Sequence, residues 1–541
     1  MKQTFRGALT VLFLAASIAA AQERASAMKT TPARAEGEGP FEKLILRGAT
    51  VIDGTGAPPY GPVDIVIEKN RITQVAGVGT PGLAISADRR PKGANKEIDA
   101  SGMWVMPGFI DLHVHTGEAP KAPEAEYVYK LWLAHGITSV RGVPFGDFDW
   151  SLSEKAKSAR NEITAPRLFS YHRIGTGWDR GPVNTEQAAR EWVRWAAEKG
   201  IDGLKLGAHR PEIMAAVLDE AKKLGLGSTA HLNQTGVAQM NARDAVRLGL
   251  GTVTHFYGIF EAMYDRNSVQ PFPDDYNYND EQQRFGQVAR QWNLIPGRGS
   301  QAWDDLLEEF LKHKTILDPT MTAYLAGRSV MYRRAAEWHE KYTLPSLWDF
   351  YQPSRANHGS YWYDWTTADE VAWKNFFRVW MEFLQDYKNR GGRVTPSSDA
   401  GFIYNTYGFS TIEEMELLQE AGFHPLEIFR GAGLHAAEAL YEPKGKPVDL
   451  GVVRPGLLAD LIVLPENPIH NLKTLYGIGA VRLNEKTGKA ERVGGVRWTI
   501  KDGIVYDARK LLADVARMVE KQKKERGITQ LPQIPFPTPI P

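Results

Sequence analysis

Residues 107–117 read PGFIDLHVHTG, an apolar run in which His113 and His115 stand one residue apart near the end. Alternate side chains of a β-strand share one face, so both imidazoles can lie on the same side and bind one metal ion. Two polar residues that are hydrogen-bonded at the end of a strand would give the same pattern. The His-x-His pair therefore needs support from the rest of the chain.

This run belongs to the first of eight predicted strands, which alternate with amphipathic helices in a pattern typical of βα units and a parallel sheet. The strands are predicted at 104–115, 137–143, 167–175, 201–207, 227–232, 251–257, 315–324 and 392–400. Amphipathic helices are predicted at 184–199, 211–224, 237–248 and 367–389. Eight consecutive pairs favour an α/β fold with a closed (β/α)8 barrel of the TIM type over a doubly wound sheet.

The polar residues support the barrel. Six side chains that can bind metals or move protons fall near the carboxyl ends of five predicted strands, where barrel enzymes carry their chemistry. They are His113, His115, Lys205, His231, His255 and Asp399. Each has a plainer interpretation when taken alone, because a histidine can be a hydrogen-bonded core residue and an aspartate can cap a helix or turn. Their shared position favours one site.

Lys205 lies in the apolar segment IDGLKLG, where burial of an unpaired ammonium would cost several kcal/mol or remove the charge. A neutral lysine amine can react with carbon dioxide to give a carbamate, whose two oxygens could bridge two divalent cations. A lysine paired with a neighbouring carboxylate is the alternative. Asp399 could bind metal, accept a proton from a bound water and pass it to a leaving group.

Residues 41–103 and 441–507 alternate apolar and polar side chains, so the two ends of the chain predict one composite β-sandwich that flanks the barrel at 104–440. Two inserts, 258–299 and 325–365, are too long for simple loops and are rich in aromatic residues, as in NHGSYWYDW. We interpret them as lids over the site. Surface padding, or a subunit contact in a homo-oligomer, is the alternative.

Residues 1–21 have a basic start, a short apolar core and the pattern Ala19-x-Ala21, which predict a signal peptide. A linker without regular structure at 22–40 and a C-terminal helix with a Pro-rich tail at 508–541 complete the prediction. We expect a periplasmic or secreted protein without a membrane anchor after signal removal. Without cysteine, the metal ligands must be nitrogen and oxygen, and 65 basic against 64 acidic residues favour a small-molecule substrate and no nucleic acid.

Taken together, the segments PGFIDLHVHTG, HGITSVR, DGLKLG, STAHL, TVTHF and SSDAG resemble the amidohydrolase superfamily, in particular its imidazolonepropionase and prolidase-like branch. The later segment LGVVRPGLLADLIVL is also similar. The resemblance implies two divalent metal ions, with zinc expected and manganese, cobalt or iron as alternatives. The implied ligands are His113 and His115 for the more buried ion, His231 and His255 for the second ion, and a CO2-derived carbamate on Lys205 as the bridge. Asp399 matches the aspartate that serves as ligand and general base.

We therefore predict a hydrolase that uses a metal-bridging hydroxide to cleave the C–N (amide) bond of a dipeptide, an N-acyl amino acid or a cyclic amide. Hydrolysis of an ester, lactone or phosphoester at the same site is the alternative chemistry, and a non-catalytic barrel used as a binding module is the alternative class. Four further residues are candidates for substrate contact: Tyr171, His172, His209 and Tyr257.

Overall fold

The computed structural model describes residues 28–83, 87–118, 121–264, 272–359 and 361–529. The predicted signal peptide at 1–21, the first part of the linker and the Pro-rich tail from residue 530 onwards lie outside these ranges. Within the described ranges, no helix combines the length and the apolar character needed to cross a bilayer.

The described strands are β1 Leu44–Val51, β2 Tyr60–Glu68, β3 Arg71–Gly77, β4 Lys96–Asp99, β5 Trp104–Pro107, β6 Phe109–Val114, β7 Ile137–Gly142, β8 Arg167–Arg173, β9 Gly203–Leu206, β10 Gly227–His231, β11 Thr252–Thr254, β12 Ile316–Asp318, β13 Arg393–Val394, β14 Leu461–Leu464, β15 Ala480–Asn484, β16 Lys489–Val493, β17 Trp498–Lys501 and β18 Ile504–Asp507. The described α-helices are α1 Ala125–Ala134, α2 Phe148–Ala159, α3 Glu186–Lys199, α4 Pro211–Lys223, α5 Ala242–Arg247, α6 Glu281–Val288, α7 Gln301–Lys312, α8 Leu325–Arg334, α9 His339–Tyr342, α10 Pro345–Phe350, α11 Thr367–Asn389, α12 Phe409–Glu420, α13 Pro425–Arg430, α14 Ala436–Tyr441 and α15 Ala508–Glu525.

Strands β6 to β13 form one parallel sheet in which every strand pairs with its neighbours in sequence. The prediction of a parallel α/β sheet with helices between the strands is confirmed. The segment after β13 reaches back to β6, because the Asp399 N–H donates to the His113 carbonyl at 2.9 Å and the Leu112 N–H donates to Ser397 Oγ at 3.0 Å. The sheet is therefore curled, and the segment after its last strand contacts its first strand.

The first predicted strand, 104–115, is two strands in the structure. Residues Trp104–Pro107 (β5) pair with β1 and β14, whereas Phe109–Val114 (β6) pairs with β7. The change of sheet occurs at Gly108, where a side chain would collide with Thr138 and where the backbone N–H donates to the Asp460 carbonyl at 2.9 Å. A continuous apolar run does not reveal such a division, because both halves are buried.

The flanking strands come from both ends of the chain, in the order β18-β17-β14-β5-β1-β2-β3. Strand β4 also pairs with the first half of β1, on the edge that β5 uses further along. They make one mixed eight-stranded sheet, and a sandwich of two sheets is not confirmed. Side chains of this sheet, among them Leu46, Ile65 and Leu461, form a buried apolar cluster of their own. A separate hairpin joins β15 to β16.

The described part of the predicted linker, residues 28–40, lies against the body of the protein. The Lys130 ammonium donates to Glu36 Oε1 at 2.7 Å, and Glu38 makes an antiparallel bridge with Val505. These residues form no helix or strand, but they are packed on the rest of the protein. Ion pairs and a backbone bridge to distant parts of the chain hold them, and these contacts leave no local periodicity in the sequence.

Helix boundaries follow side-chain caps that the periodicity alone does not locate. Helix α5 begins after Asn241, whose side chain accepts a hydrogen bond from the Asp244 N–H at 3.1 Å, so it is shorter than the predicted 237–248. Helix α3 begins after Thr185, which caps it in the same way. The two inserts contain helices of their own, α6 in the first insert and α8 to α10 in the second.

Candidate metal centre

The structure brings all six predicted residues together at the carboxyl edge of the parallel sheet. His113 lies in β6, Lys205 in β9 and His231 at the end of β10, while His115, His255 and Asp399 lie in the segments that follow β6, β11 and β13. Parallel strands end at the same edge, so residues far apart in sequence meet there.

Asp399 lies at the middle of this cluster. Its Oδ1 is 3.5 Å from His115 Nε2 and 3.8 Å from His113 Nε2. One ligand atom from each of these three residues lies within 4.8 Å of the other two, a spacing that a single metal ion can bridge. The Oδ1 atom is buried and has no hydrogen-bond partner among the described residues.

In the second pair of histidines, His255 contacts the other carboxylate oxygen of Asp399, and His231 lies beside His255. His255 Nε2 is 3.7 Å from Asp399 Oδ2, and the ring centroids of His255 and His231 are 4.6 Å apart. Both His255 and Asp399 have positive φ angles, 65° and 46°, which cost a non-glycine residue of the order of 1 kcal/mol. The fold holds both side chains in place against this backbone strain.

Lys205 is buried next to the histidines, with Nζ 3.2 Å from His113 Nε2. Among the described residues, no carboxylate pairs with it, so the alternative of a lysine paired with a neighbouring carboxylate has no support from its contacts. Burial lowers the pKa of the Lys205 ammonium to about 7, against the opposing effect of Asp399. Burial raises the pKa of Asp399 to about 6, again against the opposing charge of Lys205.

The donor set fits a divalent metal ion. The Nδ1 atoms of His115 and His255 contact the Pro144 carbonyl at 3.0 Å and Thr320 Oγ1 at 2.5 Å, so both rings turn Nε2 towards Asp399. Burial is the largest cause that lowers the pKa of all four histidines, which favours the neutral imidazole that binds metal. Nitrogen and oxygen donors of this kind suit zinc and similar ions.

The four candidates for substrate contact lie in different parts of the structure. Tyr257 belongs to the cluster, since its ring stacks on His231 with centroids 4.6 Å apart and 14° between the planes. His209 is half-buried in the segment that follows β9, with Nε2 accepting from the Gly207 N–H at 3.3 Å. Tyr171 is buried in the interior of the sheet, where the Arg141 guanidinium lies 5.2 Å from its ring centroid.

His172 points to the helix side of the sheet. Its Nε2 lies 2.9 Å from both Ser151 Oγ and Ser170 Oγ, and its ring packs on Phe148 at 4.6 Å. Successive residues of a strand face opposite sides of the sheet. Because Tyr171 points into the interior, His172 points outwards. Its position does not support the predicted contact with a substrate.

By the same alternation, Arg173 is the residue of this strand that points towards the centre, and it is not among the residues predicted from the sequence. It pairs with Lys205 in the register of β8 and β9. After burial and the charge of Lys205, the Arg173 guanidinium is the next cause that lowers the pKa of His115 and His231. Counting alternate positions from Tyr171 would have found it.

Lys121 is a second cation near the centre that was not predicted from the sequence. Its Nζ lies 3.9 Å from the ring centroid of Phe402 and 4.5 Å from that of Phe350. Phe402 in turn packs edge-on against His115 at 6.3 Å. Burial lowers the pKa of Lys121 to about 8, although Glu118 and Asp399 oppose this effect. No pattern in the sequence distinguishes this lysine from an exposed one.

The two inserts contact each other. His358 Nδ1 in the second insert lies 2.6 Å from Glu281 Oε1 in the first, and the Gly359 N–H donates to Glu281 Oε2 at 2.9 Å. The rings of Phe285 and Tyr361 stack with centroids 4.1 Å apart. The inserts therefore form one joined layer.

This layer reaches the metal centre. The ring of His358 packs against Phe402 at 5.3 Å, and Phe402 packs against His115. Tyr361 and Trp362, from the aromatic segment of the second insert, are buried within the chain, with 2% and 6% of their surface exposed. These two residues are thus covered by their own chain, a position that favours a wall of the site over a subunit contact.

No protein-family model matches the sequence. The chain is similar to an N-acetylglucosamine-6-phosphate deacetylase from Lysinibacillus sphaericus, with 23% identity over 250 residues that cover 42% of this chain and 59% of that protein. An imidazolonepropionase from an Arthrobacter species is 26% identical over 234 residues, which cover 35% of this chain and 54% of that protein. The chain spans little more than half the length of these relatives.

Solved structures share the fold over most of the chain. Bottromycin amidohydrolase superposes with a TM-score of 0.59 at 16% identity, over 91% of this chain and 92% of that one. A Xaa-Pro dipeptidase gives a TM-score of 0.56 at 18% identity, over 86% of this chain and 100% of that one.

The fold and the site define an α/β protein with a cluster of metal-binding side chains at the carboxyl edge of a curled parallel sheet. The sequence relatives and the structural neighbours all belong to the amidohydrolase superfamily. This chain is similar to members of that superfamily over part of its sequence and shares their fold over most of its length.

Proposed function

We propose that this protein is a metal-dependent hydrolase that cleaves the C–N bond of an amide in a dipeptide, an N-acyl amino acid or a cyclic amide. The observation that carries the proposal is the convergence of three histidine Nε2 atoms on the carboxylate of Asp399, 3.5 to 3.8 Å away. The relatives whose names describe C–N bond hydrolysis, among them the deacetylase, support the choice of bond. We also propose that the curled sheet is a closed (β/α)8 barrel.

The ligands that we assign to two divalent ions are His113, His115, His231, His255, a carboxylated Lys205 and Asp399. When bound, such ions supply a water of lowered pKa and a Lewis acid for the scissile carbonyl. Zinc is the expected metal, with manganese, cobalt or iron as alternatives.

Asp399 carries the proton in this reaction. Burial raises its pKa to about 6, so near neutral pH it is mostly a carboxylate that can accept a proton from the attacking water. The protonated Asp399 then gives this proton to the leaving nitrogen when the C–N bond breaks. The same side chain thereby returns to its starting state.

Lys205 is proposed to react with carbon dioxide. Burial lowers its pKa to about 7, so a large fraction of the amine is neutral at that pH. The amine nitrogen attacks the carbon of CO2, loses one proton to water and becomes an anionic carbamate. This change replaces a cation that disfavours metal binding with two oxygen ligands.

The surroundings favour a substrate with a carboxylate and an apolar part. Arg173 and Lys121 place two cations near the centre, and a negatively charged group would lie favourably between them. The joined inserts provide aromatic rings that can exclude water and stack on a ligand. Dipeptides and N-acyl amino acids have both features.

A substrate panel tests the reaction class. Metal-loaded protein is assayed against N-acyl amino acids, dipeptides with proline, cyclic amides, esters, lactones and phosphoesters, with Asp399→Asn as the matched control. We expect turnover of an amide that the control loses. Turnover of esters, lactones or phosphoesters alone would contradict the proposed bond, and no turnover together with no bound metal would favour a binding module.

Localisation is proposed on the sequence alone. The basic start, the apolar core and the Ala19-x-Ala21 pattern of residues 1–21 support export to the periplasm or the medium. Amino-terminal sequencing of the protein from the periplasmic fraction tests this, because the mature chain should then begin near residue 22.

A further inference from the structure

The histidines of the metal centre differ in the group that their Nδ1 atom faces. His115 and His255 each direct Nδ1 to a neutral oxygen, the Pro144 carbonyl and Thr320 Oγ1. His113 Nδ1 is buried and has no hydrogen-bond partner among the described residues. The group that faces it is a carboxylate, Asp318 Oδ2, at 3.8 Å.

Asp318 is fully buried at the end of β12, and buried cationic and hydroxyl groups surround its carboxylate. Arg141 NH2 lies 3.3 Å from Asp318 Oδ2, and Thr395 Oγ1 donates to Oδ1 at 3.3 Å. A buried charge without such partners would cost several kcal/mol. Burial raises the pKa of Asp318, and the charge of Arg141 opposes that rise.

The same network holds the strand that carries His113. Arg141 Nε donates to the Leu112 carbonyl at 2.6 Å, one residue before the histidine. The Asp318 carbonyl also accepts the His255 N–H at 2.9 Å. The end of β12 thus contacts two of the histidines, one through its backbone and one through its side chain.

We propose that Asp318 is a positioning residue for the metal centre, whose carboxylate accepts a hydrogen bond from the Nδ1–H of His113 and directs Nε2 to the metal. This inference rests on the proposed function. A carboxylate behind a histidine ligand fixes the tautomer, orients the ring and makes the ligand nitrogen more basic. Asp318 is not itself a ligand, because it faces Nδ1 while Lys205 and Asp399 face Nε2.

The test is the affinity of the metal-free protein for Zn²⁺, measured by competition with a chromophoric chelator. Asp318→Asn keeps the size of the side chain and removes its charge. We expect the affinity for the ion held by His113 to fall by about 10- to 100-fold. We also expect a changed visible absorption spectrum of the Co²⁺-loaded variant, which a purely structural role at a distance would leave unaltered.

Two further variants control for loss of the hydrogen bond to Oδ1 and for unfolding of Asp318→Asn. Thr395→Val removes the hydrogen bond to Oδ1 but leaves Oδ2 in place, so it should keep the wild-type affinity. If the unpaired Arg141 unfolds the single variant, the double variant Arg141→Met with Asp318→Asn removes both charges together and should still bind Zn²⁺ more weakly than the wild type.

Wild-type Zn²⁺ affinity in a folded Asp318 variant, single or double, would overturn the positioning role. A wild-type protein that binds no metal would overturn both this inference and the proposed function. A wild-type protein that binds Zn²⁺ and hydrolyses no amide, together with weakened binding in Asp318→Asn, would count against the proposed reaction and support Asp318 as a positioning residue.

Discussion

Replacement of Lys205 by methionine should stabilise the metal-free protein and abolish metal binding. The ammonium is buried beside His113 without a carboxylate partner among the described residues, and burial lowers its pKa from 10.5 to about 7. At about 1.4 kcal/mol per pH unit, this fall corresponds to a cost of about 5 kcal/mol for keeping the charge in the folded state. Methionine has a similar length and no charge, so it avoids this cost.

The sign of the pH dependence follows from the direction of the shift. The folded protein binds fewer protons than the unfolded chain between about pH 7 and 10.5, so stability rises with pH in this window. The free-energy cost of burying the Lys205 ammonium applies in full below about pH 7 and disappears above pH 10.5. Lys205→Met should lack this rise and should exceed the wild type in free energy of unfolding by a few kcal/mol at pH 6.

Urea denaturation of chelator-treated protein in CO2-free buffer, at several pH values, measures this difference. Lys155→Met is the matched control, because Lys155 pairs with Asp202 at 2.7 Å and lies away from the centre, so it should keep the wild-type dependence on pH. Added bicarbonate should stabilise the wild type at neutral pH and leave Lys205→Met unchanged. A methionine variant that is less stable than the wild type at pH 6, or that keeps the wild-type pH dependence, would refute the reasoning.

Elemental analysis of active protein should find two divalent ions per chain, and one ion or none would contradict the binuclear centre. Lys205→Ala should lose metal and activity, with partial recovery on addition of short carboxylic acids that replace the carbamate. Asp399→Asn should lower kcat by orders of magnitude while circular dichroism shows an intact fold, and wild-type turnover would exclude it as the base. Arg173→Gln should raise KM for carboxylated substrates more than for their amides, and equal changes would argue against an anion contact. Tyr361→Ala should raise KM for large substrates and leave small amides nearly unaffected, whereas a changed oligomer mass in light scattering without a change in preference would favour a subunit contact.

Much of the fold could be predicted because it depends on periodicity. Alternating apolar strands and amphipathic helices specify a parallel sheet, and the β pattern at both ends of the chain specifies that the ends pair. The division of the first strand at Gly108 and the packing of residues 28–40 could not be predicted in this way. Both depend on contacts with residues that are distant in sequence, which leave no local pattern.

Periodicity in the sequence was enough to predict which residues reach the carboxyl edge, because His113 and His115 share one face of a strand and Lys205 lies in an apolar segment. The orientation of each ring and the group that contacts its Nδ1 atom depend on the packing of the folded chain. The exclusion of His172 from the centre and the contact of Asp318 with His113 are results of this kind. A strand's period of two fixes the face on which a side chain lies, whereas its partners come from other strands whose spacing is set by the packing of the whole sheet.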